Sequence, residues 1–218
     1  MTRFLAMRIA IVGAGAMGSA LGRSLATAGH HVTIGSRDPE RAHATAARLG
    51  AAYGTDYAGA AVAGEAVILA VPWQAVREVV AGLPLRGKIL IDVTNPYLDD
   101  TFDGQEAVWS VREELPPGES GAALIQRLAP GARVVKAFNH IWASAAQRGF
   151  GAACPAVFVC GDDAAAREVV AGLARDIGCD PHDVGGLERA GWLEALTPLV
   201  VALGDPAYAI TMTRVADG

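Results

Sequence analysis

Short, almost wholly apolar runs alternate along this chain with stretches of helical periodicity, and a glycine-rich turn joins the first such run to the first helix. Together these two observations predict an α/β fold: a doubly wound parallel sheet covered by helices on both faces. A length of 218 residues suits one large α/β unit with a short helical appendage. We expect residues 1–150 to form a dinucleotide-binding part and residues 151–218 a smaller C-terminal lobe.

In chain order, Met1–Ala6 reads as a loose extension and Arg8–Val12 as the first strand. Met17–Ala28 is the first helix and His31–Ile34 the second strand. Asp38 can cap a helix that runs to Leu49, where Gly50 stops it. Ala66–Val71 forms a third strand, Trp73–Val80 a helix and Lys88–Val93 a fourth strand. Val134–Phe138 and Ala156–Cys160 supply two more. Each run is nearly continuously apolar, as strands are when helices cover both their faces. The polar stretch Asp99–Gly121, with Pro116, Pro117 and Gly118, interrupts the alternation, and Ser120 can cap the helix that follows it. Near the end, Ala164–Ile177 is an amphipathic helix capped by Asp162 or Asp163, and Asp183–Gly185 a short strand. The helix Leu187–Leu203 is too apolar to be solvated all round, so it is core or a subunit contact.

Composition narrows the function. Hydrophobic residues make up 52% and charged residues 19%, with a net charge of −5. That balance describes a packed globular chain and carries no nucleic-acid footprint. No apolar run is membrane-length and no signal peptide is evident, so a cytoplasmic location is expected. Cys154, Cys160 and Cys179 have no zinc-site spacing, and Cys160, which ends an apolar strand, reads as a buried structural thiol.

Gly13-Ala14-Gly15-Ala16-Met17-Gly18 follows a strand and opens a helix. In that context the pattern specifies dinucleotide binding of the Rossmann type. Gly13 permits the tight turn, Gly15 leaves room for a diphosphate to approach the backbone, and Gly18 lets the helix pack on the sheet. Free N–H groups and the positive end of the helix dipole then hold the anion. The second strand ends Ile34-Gly35-Ser36-Arg37, without the carboxylate that an NAD site places there to bind the ribose 2′-hydroxyl. Ser36 can donate a hydrogen bond, and Arg37, with Arg41 one turn further on, can grip a 2′-phosphate. Two charge-assisted bonds of ~1.5–3 kcal/mol each favour NADP over NAD by roughly a hundredfold.

Strand carboxyl ends form the ligand crevice in this architecture. Ala70-Val71-Pro72-Trp73 and Asp92-Val93-Thr94-Asn95-Pro96 lie there. Val71 can pack against the adenosine or ribose. Asn95 can bond a cofactor hydroxyl or simply start a turn. Val135-Lys136-Ala137-Phe138-Asn139-His140-Ile141 ends the next strand, near the nicotinamide. Lys136 reads equally as an acid–base group or as a lysine snorkelling to the surface, and His140 as a structural residue or a proton donor. Asn139 and Ile141 are the candidate wall for a substrate, with Asn139 able to donate a hydrogen bond to a carbonyl.

Taken together, these motifs resemble the NADPH-dependent F420 reductase family, and the likeness continues through Cys160-Gly161-Asp162-Asp163 and Leu193-Glu194-Ala195-Leu196-Thr197-Pro198-Leu199. Cytosolic NADPH-binding domains of six-transmembrane ferric reductases are similar through the same motifs. The resemblance implies NADP(H) contacts at Ala14, Gly15, Ala16, Met17, Ser36, Arg37, Arg41, Val71 and Ala143. It implies a homodimer, and direct hydride transfer between the nicotinamide and the deazaflavin of coenzyme F420. Direct transfer depends on stacking and distance, so no catalytic residue and no metal is expected.

The alternatives are an NADP(H)-binding redox sensor without turnover and an NADPH-dependent flavin or ferric reductase. All three readings need NADP, which makes cofactor choice the first test. NADPH is expected to bind at least about tenfold more tightly than NADH, and Arg37→Ala to remove most of that difference. Equal dissociation constants for the two cofactors by calorimetry contradict the assignment of Ser36 and Arg37.

Overall fold

The computed structural model describes residues 6–51, 53–97, 115–116, 118–150, 153–203, 209–213 and 215. Most of the predicted Met1–Ala6 extension and of the Asp99–Gly121 stretch therefore lies outside the described residues. The elements run β1 (Arg8–Val12), α1 (Ala16–Thr27), β2 (His31–Gly35), α2 (Pro39–Leu49), β3 (Tyr53–Thr55), α3 (Tyr57–Ala63), β4 (Ala66–Leu69), α4 (Val76–Ala81) and β5 (Ile89–Asp92). They continue as α5 (Gly121–Leu128), β6 (Arg133–Lys136), α6 (Ala143–Arg148), β7 (Ala156–Cys160), α7 (Ala164–Asp176), β8 (Asp180–Gly185) and α8 (Ala190–Ala202).

The strands form one sheet in the order β3-β2-β1-β4-β5-β6-β7-β8. β1 pairs with both β2 and β4, so the strand order reverses direction there and opens a crevice above the β1 carboxyl end. Because side chains alternate along a strand, each strand feeds two cores. Ile9, Ile11, Ile34, Ile68, Ile91 and Val135 meet Leu21, Leu25 and Leu173 on one face. Ala10, Val12, Val67, Leu69, Leu90 and Val134 meet Val76, Ile125 and Leu193 on the other.

The predicted caps are in place. Asp38 accepts hydrogen bonds from the Glu40 and Arg41 N–H groups at the start of α2, and Gly50 ends it at φ 68°. Ser120 caps α5 and Asp163 caps α7. Two short elements escape a periodicity reading. β3 has three residues, and α3 is an Ala-rich helix of seven residues, about two turns, capped by Asp56.

The sheet also departs from all-parallel pairing, because β7 runs antiparallel to β6. A parallel return needs a crossover long enough to descend the sheet. α6 has six residues and spans only about 9 Å. The chain therefore re-enters from the carboxyl-end side, and Cys160 at the end of β7 stands opposite Lys136 at the end of β6.

Lys136 is neither a surface lysine nor a group open to the crevice. Its side chain is wholly buried, with Nζ 2.8 Å from Asp92 Oδ2, 3.0 Å from Glu194 Oε1 and 2.6 Å from the Thr94 carbonyl oxygen. Burial pulls it toward neutrality, but the two carboxylates outweigh that and hold the ammonium above the ordinary lysine range. Glu194 also accepts the Gly121 and Ala122 N–H groups at the positive end of α5. One cation thus joins β5, β6, α5 and α8.

Removing one member of a buried ion cluster leaves uncompensated charge, which costs about 3–5 kcal/mol. Lys136→Met is expected to lower the unfolding free energy by that amount in urea titration at neutral pH. A loss below about 1 kcal/mol contradicts the role given to this cation.

Candidate functional site

A cleft of about 390 Å³ opens above the carboxyl ends of β1, β4, β5 and β6. Its floor is Gly15, Ala16 and Met17 at the start of α1. Val71 and Pro72 follow β4, Thr94 and Asn95 follow β5, and Asn139–Ala143 follow β6. Thr197, Val200 and Val201 of α8 close it from the C-terminal side. Of the residues singled out in the sequence, Gly15, Ala16, Met17, Val71, Asn95, Asn139, Ile141 and Ala143 meet in this one cleft.

Three glycines divide the work of the loop. A Cβ on Gly13, at φ 123°, would stand 2.1 Å from the Ala70 carbonyl oxygen, and one on Gly18 would stand 1.9 Å from the Gly13 oxygen. These two are required by chain packing. A Cβ on Gly15 would meet nothing within 4 Å, so its surroundings are open on the side where a diphosphate must arrive. Ala14, between Gly13 and Gly15, lies beside a second, basic groove on the flank of α1 that Arg41 also lines. Ser36 is buried at the end of β2, where its Oγ accepts the Asp38 N–H at 3.3 Å and keeps its own proton to donate. Arg37 follows on the surface. Ser36, Arg37 and Arg41 therefore lie outside the main cleft, on the β2 side of the phosphate loop.

The far wall depends on one irregular turn. β6 stops at Lys136 rather than Phe138, and Phe138 is buried in the left-handed region at φ 62°. A bulky residue there is strained and persists only when its surroundings fix it. The turn brings Asn139 against Asn95 and α8. Asn139 Nδ2 donates to the Leu193 carbonyl oxygen at 2.8 Å and to Asn95 Oδ1 at 3.0 Å. Asn95 Nδ2 donates to the Asn139 carbonyl oxygen at 2.8 Å, and Thr197 Oγ1 donates to Asn95 Oδ1 at 3.0 Å. The Asn139 amide nitrogen that the sequence offers to a substrate carbonyl is therefore committed to protein acceptors, and Asn95 is likewise more than a turn starter. Both side chains fasten α8 to the strand ends, and Asn139 Oδ1 is left buried without a partner.

His140 is buried, with Nε2 3.0 Å from the Ala156 carbonyl oxygen. Burial lowers its pKa against the partial opposition of that carbonyl, so the neutral ring is favoured and donates from Nε2. This geometry answers the two readings of His140 in favour of structure. Cys160 is buried as expected, and burial pushes its thiol up to about 12.

Sequence reasoning missed three contributors: Thr197, Val201 and the Lys136–Asp92–Glu194 cluster. A signal existed for the cluster, since Glu194 is the lone charge of an otherwise apolar α8 and Lys136 directly follows the apolar pair Val134–Val135 in β6.

The two kinds of glycine predict opposite failures. Gly13→Ala is expected to destabilise the fold. Gly15→Val is expected to keep the melting temperature and lower NADPH affinity at least about tenfold. Thermal unfolding and calorimetry on the same samples check both, and unaltered NADPH affinity in Gly15→Val contradicts the placement of the diphosphate.

Comparison with known proteins agrees with this geometry. A family model described as NADP oxidoreductase, coenzyme F420-dependent, matches residues 8–96. The chain is 34% identical over 215 residues to an F420-dependent NADP reductase of Methanothermobacter thermautotrophicus, covering 93% of this chain and 91% of that one. It is 31% identical over 210 residues to the metalloreductase STEAP3 of Rattus norvegicus, where the match covers 91% of this chain but 40% of the relative. The crystal structure of a protein assigned as an F420-dependent NADP reductase from Arthrobacter sp. FB24 superimposes with a TM-score of 0.80 at 30% identity, covering 96% of this chain and all of that one. The phosphate loop, the cleft above the strand ends and this end-to-end similarity together place the chain in the F420-dependent NADP reductase family.

Proposed function

We propose that the chain is a cytoplasmic oxidoreductase that transfers a hydride between NADP(H) and coenzyme F420. The observation that carries the reading is the single cleft in which the open Gly15 loop and the apolar α8 wall face each other. NADP would lie with its diphosphate over Gly15–Met17, its 2′-phosphate toward Ser36, Arg37 and Arg41, and its nicotinamide near Asn139–Ala143. The deazaflavin would stack on the nicotinamide against Ile141 and the α8 residues Val200 and Val201.

In this arrangement residues 1–150 bind NADP and residues 151–218 supply most of the acceptor wall. The hydride passes directly from carbon to carbon, and the proton that the reduced deazaflavin takes up at its ring nitrogen would come from solvent, so no side chain is assigned to proton transfer. The protein supplies position, and the apolar wall keeps water from the reacting faces. Asn139 and Asn95 act by holding that wall at a fixed distance.

α8 carries further surface that this role does not use. Trp192, Leu199 and Leu203 are large apolar residues exposed to 68%, 61% and 57%. A symmetric homodimer that covers this helix fits such a patch. A monomer mass by light scattering at micromolar concentration contradicts it.

The acceptor assignment is tested by mixing the protein with NADPH and, in separate reactions, oxidised F420, free flavins and ferric chelates. Bleaching of the deazaflavin in step with NADPH oxidation is expected, faster than with the other acceptors. NADPH binding without turnover on any acceptor favours the sensor reading instead. Faster turnover of flavin or ferric chelate points to the metalloreductase-like alternative.

A further inference from the structure

The chain carries a net negative charge, yet one groove beside the cleft is strongly basic. It has a volume of about 610 Å³ and runs along α1 between α2 and α6. Its lining includes Arg23 of α1, Arg41 and Arg48 of α2, and Arg148 of α6, and no Asp or Glu. Among the described residues, no carboxylate lies within ion-pair distance of Arg23, Arg41 or Arg48. Ser144 also lines the groove, and its Oγ is buried without a hydrogen-bond partner.

Like charges brought together on neighbouring helices repel, so this arrangement calls for an anion. The 2′-phosphate of NADP accounts for Arg41. Arg48 stands two turns, about 10 Å, beyond Arg41 on α2, and Arg23 lies on the other wall of the groove, on α1, so one phosphate held at Arg41 leaves these two arginines without an assigned anion. Groove and cleft share Ala16 as a wall, and the neighbours Ala143 and Ser144 line the one and the other. A ligand seated in the cleft can therefore continue into the groove.

We propose that the groove is a subsite for a polyanionic chain, the phosphate- and carboxylate-bearing tail of the hydride acceptor. The proposal rests on the F420 reading, because that coenzyme carries a phosphodiester and a run of glutamates beyond its deazaflavin ring. The arginine forks match both groups. The field of the groove reaches about 8 Å at physiological ionic strength, so it acts on a tail that enters and leaves the ring chemistry alone.

The experiment compares F420 with the tail-less deazaflavin, which ends at its ribityl hydroxyl, on wild type, R23A/R48A and R23K/R48K. NADPH affinity is measured alongside. In R23A/R48A the KM for F420 is expected to rise about tenfold, while the KM for the tail-less acceptor and the NADPH affinity stay within about twofold. R23K/R48K should retain most of the F420 affinity, and high salt should erase the difference between the two acceptors in wild type. An unchanged KM for F420, or an equal rise for both acceptors, overturns the proposal. A parallel loss of NADPH affinity overturns it too, by assigning the groove to the dinucleotide. If wild type reduces neither deazaflavin, the acceptor reading itself fails and the subsite falls with it. If it reduces both and only the arginine effect is missing, the acceptor reading stands without the subsite.

Discussion

A single buried ammonium group holds the site together. Lys136 lies at the end of β6, has no access to water, and bonds at once to Asp92 on β5, the Thr94 carbonyl oxygen and Glu194 on α8. In a low-dielectric interior such a cation is tolerated only when its counter-charges are close and correctly placed. The constraint works in the other direction as well. If Lys136 must find both carboxylates, α8 must cross the sheet where Glu194 reaches β6, and the β5 and β6 ends must keep their spacing. Glu194 is further pinned by two N–H groups of α5, so the cluster spans both the sheet and the helical layer above it.

The cleft inherits its geometry from this cluster. Four residues after Glu194, Pro198 interrupts the hydrogen-bond pattern of α8 and offers no N–H to the Glu194 carbonyl oxygen. The Tyr97 hydroxyl donates to that oxygen instead, at 3.0 Å. A defect inside the helix thereby becomes another tether to the β5 side. Thr197, next to the proline, closes the Asn95–Asn139 pair, and Val200 and Val201 face the cleft. In the proposed reaction these residues set how closely an acceptor ring can approach the nicotinamide, which is the distance on which hydride transfer depends.

Much of this was legible in the sequence, for identifiable reasons. The Gly13–Gly18 loop, the β2 end at Ser36–Arg37 and the capped helices are local devices, and each carries its own chemistry within a few residues. The strand ends at Val71, Asn95 and Asn139 follow once the strands are placed. What escaped was long-range or too short for a pattern. β3 and α3 are smaller than a periodicity window. The reversal of β7 depends on α6 being too short to cross the sheet. The donors of Asn139 meet Leu193 and Thr197 more than fifty positions away, and only the folded chain makes them unavailable to a ligand. Lys136 shows the same limit. A lysine in an apolar strand signals a buried partner, but the sequence does not say that the partner is Glu194.

The central claim is that this cluster positions the acceptor wall and leaves the dinucleotide cradle to the phosphate loop. Glu194→Gln tests it most directly, because the substitution weakens the bond to Lys136 without emptying the space. Measured together on one preparation, NADPH affinity is predicted to stay within about threefold while kcat/KM for F420 falls by about tenfold or more. Unchanged kcat/KM, or a fall matched by an equal loss of NADPH binding, contradicts the account.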